Sequence, residues 1–485
     1  MSDHSPEAPQ AESHPPQDAG PQPDAFAGYL ARTRWFGGKG RPFTVADVRT
    51  IGEVPGHTGD GPRVVIHLVE LAYGDEEGGT ELYQVPLAFY EHPEYRLDHA
   101  FVGWWEDHEY GWVHAYDALH DREAMSNWLR SFDAATAGPV TDESGLRFHR
   151  LPGRDLDLTA QPTLFAGEQS NSSVAFGEDA LLKVFRKMTP GVNPDISVHE
   201  VLTRAGSEHV AALYGWLDVV DESGQVVQLA MLQEFLRTAT DGWDLALASV
   251  RSLLATPETH ASESGGDFAG EASRLGEALR EVHDTLRQHF PSETRAGSAT
   301  AELAAAMRAR LDAAALVVPE LEPHTKGLNH LFDEVAELGG IEVQQVHGDL
   351  HLGQTLRTAT AWKIVDFEGE PAKPLAERQL PDSPWRDVAG MLRSFDYAPR
   401  VVQRAMSDGE RDTDASMDVR AEEWAERNKN HFLYAYAGGG LTDEQQVLLD
   451  AYVADKAVYE TVYETRMRPT WVQIPLQAVA RIGAT

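Results

Sequence analysis

No cysteine occurs among the 485 residues, which excludes disulfides, thiolate catalysis and cysteine-ligated zinc. No stretch approaches the ~20 apolar residues of a membrane span, and the N-terminus lacks the basic-then-apolar order of a signal peptide. A cytoplasmic protein with no membrane partner is predicted. Positive charge is scarce: 41 Lys and Arg stand against 77 Asp and Glu, a formal charge of -36. A field of that sign repels nucleic-acid backbones and anionic lipid headgroups, so no nucleic-acid partner is expected either. An anionic ligand must then be received by local Lys and Arg together with a divalent cation. The remainder is ordinary, with 42% hydrophobic residues and length for two or three packed domains.

Residues 1–25 hold six prolines among Ser, Gln, Asp, Glu and Ala without apolar periodicity, and predict a disordered tail. Beyond it, Arg34-Trp35-Phe36-Gly37-Gly38-Lys39 precedes two strand-like runs, Arg63 to Tyr73 and Thr80 to Tyr90, parted by an acidic glycine turn that predicts a hairpin. Ala118 to Phe132 reads as a helix, which completes a small α+β module over 26–145. A β-rich block over 146–237 follows. Phe165 to Phe176 reads as strand, polar turn, strand; Ala180 to Phe185 is a third strand; a helix starts near Asp195, with further strands at 211–220 and 225–235. From 238 to 485 the pattern is helical. Phe268, Ala272, Leu275, Leu279, Val282 and Leu286 line one helical face as core, and His283 beside them reads as a satisfied histidine. Residues 255–267 and the acidic run Ser407 to Asp418 read as exposed loops or helix edges.

The chemistry concentrates in His347-Gly348-Asp349-Leu350-His351-Leu352-Gly353-Gln354, followed by Lys363-Ile364-Val365-Asp366-Phe367-Glu368. A carboxylate, an amide five residues on and a second carboxylate seventeen residues on, at the end of an apolar strand, is the order phosphoryl transfer uses. Asp349 would accept or orient the acceptor hydroxyl, Gln354 and Asp366 would hold Mg²⁺ through oxygen, and Glu368 would add a further oxygen ligand. His347 and His351 would support the loop. Upstream, Ser170, Asn171 and Ser172 of the polar turn 167–173 offer short donors to the phosphates of ATP, and Lys183 in the third strand can reach them. Glu200 on the following helix is the preferred partner of that lysine, with Asp195 its rival; Gln233 and Phe235 at the end of the last strand are further nucleotide contacts. Alternating His347, Asp349 and His351 also admit a zinc hydrolase or a purely structural turn, but no second histidine cluster supports the former.

The turn 167–173, Thr189 to Asp195, His347 to Thr355, Asp366-Phe367-Glu368-Gly369-Glu370-Pro371, Arg386 to Tyr397 and Tyr459 to Trp471 together resemble actinobacterial maltokinases. The resemblance spans nearly everything after the tail, Arg34-Trp35-Phe36 included. It implies an α+β, bilobal kinase-like fold of the aminoglycoside-phosphotransferase type, with an N-terminal α+β cap, a β-rich intermediate subdomain and an α-helical C-lobe. The activity implied is ATP-dependent phosphorylation of maltose to maltose 1-phosphate for α-glucan synthesis, with room for a partner enzyme of trehalose and maltose metabolism. That branch also contains glucosamine kinases, and a catalytically silent kinase-like binding module is the reading from another class. Gln354 stands where the wider superfamily has Asn but matches this branch, and Ser197 stands where the family often carries Glu.

Thr442 and Gln445 form a capping-box pattern that opens a last long helix, which Pro469 ends. Along it Tyr459 and Tyr463 share a face, as do Glu460 and Glu464. Carboxylates with an aromatic platform make a sugar site, so Tyr459, Glu460, Glu464, Arg468 and Trp471, with His351, are the candidate substrate contacts. A plain surface pair between Lys456 and Glu460 is the structural alternative.

Overall fold

The computed structural model describes residues 20–59, 61–75, 78–135, 140–141, 145–165, 170–221, 223–256, 259–370, 373–406 and 415–483. The chain forms two compact units, Met1–Gly191 with Tyr214–Gln233, and Val192–Leu213 with Glu234–Thr485.

The first unit opens with α1 (Pro23–Arg32), where Pro23 suits the first turn and Phe26, Tyr29 and Leu30 supply a buried stripe. The predicted tail therefore ends earlier than residue 25, because this apolar spacing begins at Phe26; residues 1–19 lie outside the described residues. Strands β1 (Phe43–Glu53), β2 (Arg63–Tyr73), β3 (Thr80–Tyr90), β4 (Phe101–Asp107) and β5 (Gly111–Asp117) make an antiparallel sheet in the order β1-β2-β3-β5-β4. The expected hairpin is β2 with β3, in register from Arg63 with Phe89 to Ala72 with Thr80. Its central strands are buried along most of their length, and Val65, Val69, Tyr83, Val85 and Leu87 share one core with Phe26, Tyr29 and Leu30 of α1 and with Phe36 and Trp105. The helix read at 118–132 divides: a 3₁₀ turn spans Ala118–His120, Asp121 then caps through its side chain, and α2 runs Arg122–Ala134.

The β-rich block supplies β6 (Val140–Thr141), β7 (Arg147–Arg150), β8 (Pro162–Leu164), β9 (Ser172–Phe176), β10 (Ala180–Val184), β11 (Lys187–Met188), β12 (Leu213–Val220) and β13 (Val226–Glu234). Seven of these form a sheet in the order β6-β7-β12-β13-β10-β9-β8, while β11 pairs with β3 of the first sheet. Between the sheets Arg186, almost fully buried, donates to Asp117 Oδ2 at 2.7 Å and to Ser172 Oγ at 2.8 Å, and lies over the Trp35 ring. Tyr29 donates to the same carboxylate. Burial alone would raise the Asp117 pKa, but the charges of Arg186 and His120 with the hydrogen bonds from Tyr29 and Leu119 together hold the carboxyl below its usual range.

The second unit takes α3 (Pro194–Arg204), then α4 (Gly242–Ala255), α5 (Ala269–His289), α6 (Gly297–Val317), α7 (Thr325–Glu337), α8 (Leu375–Arg378), α9 (Trp385–Met406), α10 (Ala415–Ala437), α11 (Asp443–Met467) and α12 (Gln473–Ile482). The apolar stripe from Phe268 to Leu286 is buried along α5 as expected. Small strands β14 (Thr240–Asp241), β15 (Glu293–Ala296), β16 (Gly340–Val343), β17 (Thr355–Arg357) and β18 (Trp362–Ile364) punctuate the helices. Of the acidic run at 407–418, residues 407–414 lie outside the described residues and the rest begin α10. No helix among the described residues is long and apolar enough to cross a membrane.

Removing one member of a buried ion pair leaves the other charge uncompensated, at a cost of about 3–5 kcal/mol. Arg186→Met should therefore lower the denaturant midpoint strongly, whereas the double change Arg186→Met with Asp117→Asn should recover much of the loss. Urea titration followed by circular dichroism measures both.

Candidate active site

The loop between β16 and β17 is shaped from behind by α9. Asp387, sealed from solvent, accepts hydrogen bonds from His347 N at 2.7 Å and Gly348 N at 2.8 Å. His283 of α5 joins its Nε2 to the same carboxylate at 3.1 Å and its Nδ1 to Tyr436 Oη at 2.8 Å, which makes it the satisfied histidine the sequence predicts. Burial would raise the Asp387 pKa; the hydrogen bond and charge of His283 overcome that and hold it low. Gly348 adopts φ 85°, a conformation that favours glycine, and Gly390 of α9 has no room for a Cβ against the carbonyl of Leu350. The helix and the loop backbone consequently touch directly.

Both nitrogens of His347 are used inside the loop, Nε2 with Val365 O at 3.0 Å and Nδ1 with Asp349 N at 3.3 Å. His351 Nδ1 accepts from Gly353 N at 3.0 Å, and burial holds its pKa below the ordinary histidine range. These imidazoles brace the backbone, and the one group of described residues spaced to share a metal ion contains no histidine. That group is Asp195, Asp366 and Glu368, whose ligand oxygens lie within 4.8 Å of one another. Asp366 follows β18 at φ 70°, the one non-glycine residue among those described with a positive φ, so the backbone is held in a costly conformation that turns this carboxylate. Gln354 joins from the 3₁₀ turn Leu352–Gln354, its Nε2 donating to Asp366 Oδ2 at 3.2 Å. An all-oxygen donor set of this kind suits Mg²⁺.

Asp195, which the sequence analysis names only as the rival of Glu200 for pairing with Lys183, shares this cluster. It is buried at the start of α3, accepts from Phe367 N at 2.9 Å and meets His199 at 3.1 Å. Glu200, one turn further on, faces outward and pairs with Arg204 at 2.8 Å.

In the first unit Lys183 sits opposite Ser173 in the β9–β10 pairing, and the burial alternation of β10 turns it away from Leu182 and Val184. Ser170 and Asn171 precede β9; Gly167, Glu168 and Gln169 of the same turn lie outside the described residues. Ser172 does not belong with them as a phosphate donor, because its hydroxyl points inward to Arg186. Gln233, near the end of β13, has a buried Oε1 with no hydrogen-bond partner among the described residues, and Phe235 follows the strand half-buried.

Asp349 opens into a cavity of about 760 Å³ in the second unit, and His351, Tyr459, Glu460, Glu464, Arg468 and Trp471 all line it. The capping box of Thr442 and Gln445 is formed as expected, and α11, ending at Met467, carries Tyr459, Glu460 and Glu464 of this lining. Glu460 takes both Arg393 Nε and Nη2 on Oε2, at 2.9 and 2.7 Å, while Arg393 Nη1 reaches Asp396 at 2.7 Å. Burial raises the Glu460 pKa in spite of that partner. Both oxygens of Glu464 are occupied, by Arg468 at 2.6 and 2.9 Å and by Tyr397 Oη at 3.3 Å, so Glu464 braces Arg468 instead of offering a free acceptor. Arg468 in turn lies 4.8 Å from the Trp471 ring centre, and the rings of Tyr459 and Tyr463 stack at 6.5 Å.

Sequence reasoning missed Arg393, Tyr397, Glu370 and Trp243 on the cavity wall, although the first three fall in the quoted motifs. It also read Lys456 as a partner for Glu460. The ammonium instead reaches Asp349 Oδ1 at 3.1 Å. Burial would raise the Asp349 pKa, but the charge and hydrogen bond of Lys456, with the charges of His351 and His347, together hold it below its usual range.

Residues 29–121 match the maltokinase N-terminal cap domain. A glucosamine kinase of Streptacidiphilus jiangxiensis is 30% identical over 387 residues, covering 75% of this chain and 78% of that protein. One from Mycolicibacterium smegmatis is 24% identical over 382 residues, covering 73% and 90%. In fold, a solved glucosamine kinase in complex with glucosamine, ADP and inorganic phosphate aligns over 94% of this chain and 99% of its own, with TM-score 0.63 at 22% identity.

Because the folded Asp387 pKa is depressed, its carboxylate stabilises the native state above the ordinary carboxylate range, and that contribution is lost as pH falls through the lowered value. Asp387→Asn should cost about 1–3 kcal/mol near neutrality and reduce the dependence of stability on pH below about 5. Urea midpoints measured at neutrality and across that range check both.

Proposed function

The chain belongs to the maltokinase-like family of sugar kinases, and from that premise we propose that it transfers the γ-phosphoryl group of ATP to the anomeric hydroxyl of maltose. The observation that carries the choice of acceptor is the pairing inside the cavity. Asp349 holds Lys456, Glu370 holds Arg386, Glu460 holds Arg393 and Glu464 holds Arg468, so each of these carboxylates already has a cation. Such a lining favours neutral hydroxyls over a further ammonium. The volume of about 760 Å³ and the aromatic wall of Tyr459, Tyr463 and Trp471 suit a sugar of more than one ring. Glucosamine is the second reading, favoured by the two glucosamine kinase relatives.

In the reaction so assigned, the acceptor oxygen forms a bond to the γ-phosphorus as the bridging bond to ADP breaks, and the hydroxyl proton leaves toward Asp349. The transition state is loose, so orientation by that carboxylate matters more than its basicity. Asp366, Glu368 and Gln354, with Asp195 beside them, would hold Mg²⁺, which when bound neutralises phosphate charge. Lys183, Ser170 and Asn171 would receive the phosphates, while Gln233 Oε1, without a partner among the described residues, and the Phe235 ring would contact the base. The product would feed α-glucan synthesis.

ATP consumption with maltose, glucosamine and glucose, followed by ³¹P NMR of the product, tests the assignment. Turnover with maltose and a phosphate on the anomeric carbon is expected; preferential turnover of glucosamine would replace maltose as the acceptor. Asp349→Asn should lower kcat by about 10²-fold or more, and an unchanged kcat would remove Asp349 from its role.

A further inference from the structure

Lys456 lies on the same face of α11 as the residues that line the sugar cavity. Positions 456, 459, 460, 463 and 464 follow the three-and-four spacing of one helical stripe, and all five line that cavity. From there the ammonium crosses to Asp349 of the catalytic loop, 107 residues earlier in sequence. Among the described residues no other donor hydrogen-bonds to that carboxylate. Other acids nearby are engaged elsewhere, Glu460 by Arg393 and Glu370 by Arg386. A second cavity of about 210 Å³ shares Asp349, Glu370, Gly390, Lys456 and Tyr459 with the larger one, so Lys456 stands where the two meet.

We propose that Lys456 is a positioning residue that pins Oδ1 of Asp349, leaves Oδ2 to face the acceptor hydroxyl, and thereby ties the catalytic carboxylate to the helix on which the sugar is seated. The inference rests on the sugar kinase reading of this cavity, though on no particular sugar. An aspartate without such a partner rotates about its last torsion. Productive transfer requires the hydroxyl within about 3 Å of a correctly turned oxygen, and a misplacement of about 1 Å can cost about 10²-fold. The 25-residue helix, capped at its start and packed along its length, is a rigid mount for the lysine. Lysine also supplies a single compact charge, which fixes one oxygen where a forked guanidinium would bind both.

The test compares Lys456→Met, Lys456→Arg, Asp349→Asn and the Asp349→Asn, Lys456→Met double variant. The acceptor is whichever sugar of the panel the unaltered enzyme phosphorylates, so failure with maltose overturns the maltose reading and leaves this test standing. Lys456→Met should lower kcat about 10- to 100-fold with KM for ATP changed less than about twofold, and Lys456→Arg should recover part of the loss. In the Asp349→Asn background the methionine change should cost less than about twofold, because the group it acts through is already gone. Losses that multiply in the double variant, or full kcat in Lys456→Met, would overturn the proposal. ¹⁵N NMR of the lysine side chains tests the pair without any turnover, and without a variant that must survive the loss of Lys456. The Lys456 ammonium signal should shift on Asp349→Asn, and an unmoved signal would equally sink the idea.

Discussion

The carboxylate of Asp387 accepts the backbone N–H groups of His347 and Gly348 and meets the side chain of His283, and the geometry of the loop that carries Asp349 hangs on that junction. Two amides pointing into a protein interior need an acceptor, and an ionised one holds them more tightly than a carbonyl would. With the loop fixed there, Asp349 emerges into the cavity and the 3₁₀ turn brings Gln354 back to Asp366. The same helix reaches the far wall of that cavity two turns later. Arg393 fixes Glu460 and Tyr397 touches Glu464, so α9 sets the catalytic loop and α11 from a single rigid element.

Buried charge in this protein is consistently paired across elements distant in sequence. Arg186 with Asp117 and Arg393 with Glu460 each join two segments that local propensity would leave independent. Such pairs add little net stability, since desolvation offsets much of the attraction, but breaking them is costly, and they therefore penalise alternative packings. In the cavity the same pairing recurs at Asp349, Glu370, Glu460 and Glu464. A lining whose acids are already satisfied presents oriented oxygens and aromatic faces without an excess of negative charge.

What could be read from the sequence was local. The hairpin of β2 and β3, the capping box at Thr442, the core stripe of α5 and the spacing from Asp349 to Gln354 and Asp366 each depend on neighbours within a few residues to a few turns, where turn chemistry and periodicity operate. What escaped depends on contacts that no spacing reports. Asp195 meets Phe367 across 172 residues, Lys456 meets Asp349 across 107 and Arg393 meets Glu460 across 67. Ser172 was taken for part of a phosphate turn because its sequence neighbours are polar, and only Arg186 explains why its hydroxyl turns inward. Glu200 and Glu464 each have an arginine four residues on, and these ion pairs along one helix are contacts that the sequence reading left out.

The central claim is that the cavity bounded by Asp349, α9 and α11 seats the acceptor sugar. A crystal structure with maltose bound tests it most directly. The account predicts a reacting hydroxyl within about 3 Å of Asp349 Oδ2 and a sugar ring against Tyr459 or Trp471. Maltose seated outside this cavity, for instance in the polar cavity of the first unit lined by His57, His92 and Glu109, would contradict it.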